Sequence, residues 1–152
     1  LFILRENSFS NQQKWEVNMT PKLTLTIASA IGLLFSAVMF LAPEFVTKQQ
    51  FPNAEGQGLE DLVTLRYAVA SLIFALVAIT FQLRSIEGRA FQKEVMLGYS
   101  IAFGVVCGTN ILLQLAGAIS AVPPIIGTGI IAILSIVTWH KLSKTEEVED
   151  LD

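Results

Sequence analysis

Four long apolar stretches set the limits on what this chain can become. They run from Leu23 to Ala42, from Leu62 to Leu83, from Val95 to about Ala118, and from Ile125 to Leu142. A hydrocarbon layer about 30 Å thick is crossed by about 20 apolar residues rising 1.5 Å each, so every stretch is a candidate span. In lipid only helices and closed barrels satisfy their own backbone groups, and these segments are too long and too evenly apolar for barrel strands. With 53% hydrophobic and 15% charged residues, a soluble domain of 152 residues would lack polar surface to cover itself. The expectation is an all-α, integral membrane, up-and-down four-helix bundle, consecutive helices being antiparallel neighbours.

The stretch at 23–42 has a basic start at Lys22 but is longer than a signal-peptide core, and Phe40 and Pro43 make a poor cleavage site. It is expected to be retained. Pro123 and Pro124 close the third span and suit the first turn of the fourth. Residues 1–22 form an N-terminal polar segment. The first methionine is Met19, and residues 1–18 read as an over-extended start or as a short amphipathic arm anchored by Phe2, Ile3, Leu4, Phe9 and Trp15. Residues 143–152 form an acidic tail, with Glu146, Glu147, Glu149, Asp150 and Asp152 in its last seven positions. That tail accounts for the net charge of −3, and its composition reads as a solvated end.

Lysine and arginine in short loops accumulate on the cytoplasmic side. Lys22, the connection at 84–94 (Arg84, Arg89, Lys93) and the C-terminal end (Lys141, Lys144) therefore belong together. The connection at 43–61 carries Lys48 against Glu44, Glu55, Glu60 and Asp61, and the turn at 119–124 is uncharged. Both termini are expected in the cytoplasm. Trp139, His140 and Lys141 resemble an interfacial anchor at the inner boundary.

A permanently charged guanidinium, Arg66, stands one turn inside the second span, about 6 Å below Leu62. Asn110 and Gln114 lie about 22 and 28 Å up the third span, in the same outer half, and share one helical face with Phe103 and Cys107. Thr128 and Gly127 enter at similar depth, and Glu60 and Asp61 stand within two turns of Arg66. An arginine in a span costs a few kcal/mol without a partner, so Arg66, Asn110, Gln114, Glu60, Asp61 and Thr128 form the candidate ligand-binding cluster. In one account Arg66 holds an anionic or carbonyl-bearing ligand. In the other it pairs with Asp61, Glu60 or Glu44 or snorkels, while Asn110 and Gln114 tie helices together. Gly104 and Gly108, one turn apart, form a small-xxx-small pattern for close helix packing.

No lysine within a span excludes a Schiff-base pigment, and the single histidine excludes a doubly His-ligated haem. The spans hold no mid-membrane carboxylate for a proton relay, Cys107 is the sole cysteine, and no phosphate loop, metal spacing or basic nucleic-acid patch occurs. No catalytic residue, metal or cofactor is expected.

The segments "FLAPEF" and "LRYAVASLIFALVAI" resemble the small four-span proteins grouped around the DoxX-like families. The shared features are Pro43, Glu44 and Phe45 at the exit of the first helix, Arg66 near the outer start of the second, and a glycine-rich third helix. The resemblance covers residues 20–142 and implies a four-helix bundle in a bacterial inner membrane. It also implies an accessory role, in some relatives beside quinol oxidases or thiol-redox systems, although the cysteine pair of the redox-linked members is missing. The expected function is thus an accessory or small-ligand and lipid-binding membrane protein, with the bilayer, a complex partner or a homo-oligomer as partners. An oligomeric channel or transporter component is the first alternative. A membrane-embedded, redox-linked enzyme subunit, with Arg66 and Glu60 or Asp61 in acid–base roles, is the second.

Overall fold

The computed structural model describes residues 19–149, with side chains to residue 144, and the expectations for residues 1–18 lie outside it. The described residues are helical without strands: α1 (Pro21–Leu41), α2 (Pro43–Gln50), α3 (Gly56–Leu83), α4 (Arg89–Leu115) and α5 (Val122–Glu149). Four of them, α1, α3, α4 and α5, are long and apolar enough to cross a membrane.

Local chemistry explains the boundaries. Thr20 caps α1, its hydroxyl accepting from the Leu23 N–H at 3.2 Å, and Pro21 takes the first turn, where its missing N–H is harmless. The helix breaks at Ala42 (φ −139°, ψ 54°) because a residue before proline is pushed out of the helical region, and Pro43 then opens α2. The segment 43–61 is therefore not a simple connection. It contains a short helix and the first turn and a half of α3. At the other end of the chain, α5 continues through Glu149, so Glu146, Glu147 and Glu149 of the expected tail are helical.

α4 ends earlier than the apolar run suggests. Gly117, at φ +71°, takes a left-handed conformation that costs glycine little, and the N–H groups of Ala118 and Gly117 return to Leu113 O and Gln114 O, both at 3.0 Å. This Schellman arrangement satisfies the last carbonyls and turns the chain toward α5, whose first turn holds Pro123 and Pro124.

Packing is uneven. α1 lies along α3 and α4 along α5, and the two pairs join through α1 and α5. The fourth side of the ring, between α3 and α4, is scarcely in contact although these helices are consecutive. At the basic end, fully buried Met96 of α4 lies beside Leu25, Leu83 and Ile86, and the Tyr99 hydroxyl shares a hydrogen bond with the Thr80 hydroxyl of α3. Thr80 gives its own proton to Leu76 O at 2.7 Å, so Tyr99 is the donor. Away from that bridge the helices stand apart and form a lateral cleft.

The seams are close by comparison. A Cβ on Gly32 would meet Val77 Cγ2 at 2.6 Å, and one on Gly127 would meet Phe35 Cε2 at 2.6 Å, so a side chain at either place would force its neighbour to move. Buried hydroxyls add directed contacts. Ser36 donates to Ala70 O at 2.9 Å between α1 and α3. Thr24 donates to Thr138 at 2.7 Å between α1 and α5, since the Thr138 proton goes to Leu134 O. Interhelical bonds of this kind are worth about 0.6–2 kcal/mol in lipid.

Candidate functional site

Arg66 is only 9% exposed, and α2 is what buries it. Its Nε donates to Thr47 Oγ1 at 3.4 Å, its Nη2 donates to Gln50 Oε1, and its guanidinium carbon stands 5.7 Å from the centre of the Phe51 ring. The Thr47 hydroxyl gives its proton to Pro43 O at 2.8 Å, which leaves oxygen lone pairs for the arginine. Every partner is neutral. Among the described residues no carboxylate lies within ion-pairing distance of Arg66.

The expected carboxylate partners are elsewhere for a geometric reason. Asp61 and Glu60 precede Arg66 by five and six residues, which places them about 140° and 120° around the helix from it. Both are exposed; Asp61 accepts from Gln57 Nε2 at 2.9 Å, and Thr64 bonds the Glu60 carbonyl. Glu44 pairs with Lys48 at 2.7 Å along α2, and that lysine's hydrogen bond and charge hold its carboxyl below the usual carboxylate range.

The remaining cluster residues separate in the same way. Gln114 accepts from the Ala121 N–H at 3.2 Å and fastens the entry to α5. Asn110 donates to Val106 O at 2.8 Å, and Thr128 donates to Pro124 O at 2.7 Å. These last two, unlike Gln114 and Arg66, line a cavity of about 340 Å³ enclosed by α1, α3, α4 and α5. Its walls are almost wholly apolar, with Ile31, Phe35, Ile73, Val77, Phe103 and Ile131 among them. The polar side chains on its lining are Gln50, Asn110, Thr128 and, toward the basic end, Thr80; no ionisable residue lines it. Leu76 and Val106 line the cavity and are also exposed, so it reaches the molecular surface through the α3–α4 cleft.

Gln50 connects the two features. Its side-chain oxygen receives Arg66, its side chain lines the cavity, and its main-chain carbonyl accepts from the Ser120 N–H at 2.9 Å across the mouth of the bundle. Neither Gln50 nor Thr47 was expected at a site. The available signals were the proline at the head of "PEFVTKQQ" and the Glu44–Lys48 spacing, both of which favour a short helix rather than a loop.

Gly104 and Gly108 make no close packing contact among the described residues: a Cβ at either would meet nothing within 4 Å. The glycines at close seams are Gly32 and Gly127. Trp139 is half-buried, His140 is exposed and Lys141 has a partner, all near the basic end of α5. Among the described residues no cluster of His, Cys, Asp or Glu has the geometry to hold a metal ion. Compared with protein-family models, curated proteins and solved structures, the chain matches none, and the DoxX-like resemblance rests on its short motifs.

Proposed function

We propose that this is an integral membrane protein of the lipid-binding or accessory type, which takes one chain of a membrane-soluble ligand into the cleft between α3 and α4. The observation that carries this reading is the apolar cavity with a lateral mouth. Its volume falls within the range of about 300–1,000 Å³ usual for ligand sites. Along α3 its lining runs from Val69 to Thr80, about 16 Å at 1.5 Å per residue, which is half of a hydrocarbon layer about 30 Å thick. A single alkyl or isoprenoid chain of one leaflet suits that length. The mouth opens beside exposed Leu76 and Val106, and the outer faces of α3 and α4 expose Leu72, Ile101, Val105 and Leu112, apolar side chains that water would not tolerate in such numbers. Lys22, Arg84, Arg89, Lys93, Lys141 and Lys144 gather at one end of the bundle, against Lys48 in the connection at the other, which supports an orientation with both termini in the cytoplasm, as in a bacterial inner membrane.

The test is extraction in mild detergent followed by native mass spectrometry. A bound lipid-like mass is expected on the wild type and its loss on Ile73→Trp, which fills the cavity. Monodisperse protein in plain buffer without detergent would overturn the membrane assignment, and equal lipid content in both proteins would overturn the cavity assignment.

A second reading has its own observation. Gly104 and Gly108 stand on a face of α4 that, among the described residues, no other helix covers closely, which supports packing against a helix of another chain in an accessory or oligomeric role. Gly108→Cys in a Cys107→Ser background should then cross-link within the membrane, and absence of any cross-linked product would remove this reading.

A further inference from the structure

Resting on the cavity assignment above, we infer that the ligand carries an uncharged head group that both donates and accepts hydrogen bonds, a lipid hydroxyl above all. The polar end of the cavity is formed by Gln50, Asn110 and Thr128, and the hydrogen bonds they already make determine what each has left to offer. Gln50 presents its oxygen to Arg66, so its amide nitrogen, a donor, is what it has for the cavity. Asn110 spends one N–H on Val106 O and keeps the other, and among the described residues nothing donates to its oxygen, an acceptor. Thr128 gives its proton to Pro124 O and keeps oxygen lone pairs. Donors (the Gln50 and Asn110 amide N–H groups) therefore stand with acceptors (the Asn110 and Thr128 oxygens).

Charge complementarity narrows the class further. An ionised carboxylate or ammonium drawn into this cavity would meet no opposite charge on its lining, and burying an unpaired charge is far costlier than burying a hydrogen-bonded neutral group. The nearest cation, Arg66, is not on the lining and is turned onto Thr47, Gln50 and Phe51. It acts as a positioning residue here: by holding the Gln50 oxygen it fixes which end of that amide is available. An alkane gains the apolar contact but leaves the amide groups unmatched, which costs affinity. A hydroxyl donates to Asn110 or Thr128 and accepts from Gln50.

The experiment uses the full chain in lipid nanodiscs with a long-chain alcohol bearing a photoreactive diazirine in its tail, cross-links being mapped by mass spectrometry. Hexadecanol, hexadecane, hexadecylamine at neutral pH and palmitate at alkaline pH serve as competitors. Cross-links should fall on the cavity-lining segments of α3 and α4. Hexadecanol should displace the probe about tenfold better than the other three, the equivalent of one net hydrogen bond. The Asn110→Leu, Thr128→Val protein should retain labelling and lose the preference. Equal competition by all four chains, or best competition by palmitate or the amine, overturns the head-group inference while leaving the cavity assignment standing. Cross-links that avoid the cavity overturn both. Should the double variant not fold, the wild-type order of competitors decides alone.

Discussion

The α1–α3 and α1–α5 seams and the α3–α4 side are made from similar apolar residues, yet they behave as opposites. At the seams, Gly32 and Gly127 remove the side chain that would hold the backbones apart, and Ser36 and Thr24 bond across the contact. On the α3–α4 side, among the described residues, no glycine of either helix brings the two together, and the bond between Tyr99 and Thr80 crosses the gap at one end only. Hydrophobicity does not distinguish the two, because in lipid an apolar side chain gains little by exchanging a lipid tail for a protein neighbour. Side-chain size and hydroxyl placement do. The packed side holds the protein together, and the α3–α4 side contributes little to that hold.

The sharpest way to break that comparison is to put the same bulk at a close seam and on a face of α4 that has no close neighbour. Gly127→Leu should cost about 3 kcal/mol of stability through overpacking against Phe35, whereas Gly108→Leu should leave intramolecular stability within about 0.5 kcal/mol. Unfolding in mixed detergent micelles measures both, and equal losses would show that the glycines of α4 are packed after all.

Next comes the junction where the seam meets the cavity. Gln50→Leu strips a buried guanidinium of a charge-assisted hydrogen bond and should cost about 2 kcal/mol. Adding Arg66→Met should recover most of that loss, since removing both partners leaves no unpaired charge behind. Additive losses in the double variant would mean that Arg66 has an independent role.

A smaller effect is expected at the bridge. Tyr99→Phe keeps the ring and its tilted contact with Phe103, centroids 5.6 Å apart, but loses the bond to Thr80. The expected cost is about 0.6–1 kcal/mol, with a broader α3–α4 separation between spin labels on the two helices. An unchanged distance distribution would mean that the bridge does not limit the cleft.

The smallest effect is a matter of pH. Glu44 titrates below its ordinary value because of Lys48, so its contribution to α2 is present above that ordinary value and is lost as pH falls through the lowered one. The pair is exposed and the effect should be slight. Acidification should loosen α2 in the wild type and change Glu44→Gln less, as read by hydrogen exchange of the α2 amides.

Much of this was legible in one dimension, and the omissions share a cause. The four long helices follow from apolar runs that only a helix can carry through lipid, and the break after α1 follows from Pro43. Gly117 was visible as well, but inside an apolar run a single glycine does not announce whether it will take a positive φ. The short helix α2 was overlooked because its residues are polar and brief, and 43–61 therefore read as a connection. The expected cluster joined Arg66 to Asn110 and Gln114 by depth alone, and depth says nothing about which face of which helix turns inward.

From the residues alone came the number of long helices, their all-α character, the basic and acidic ends, and the presence of a charge that needed a partner. Those properties depend on local hydrophobicity and backbone satisfaction, which act within a segment. The partners of Arg66, the separation of Gln114 from Asn110, and the opening between α3 and α4 were decided only when the helices came together. They depend on the rotation of each helix about its axis and on how near its neighbours small side chains allow it to come, and both are properties of pairs of segments.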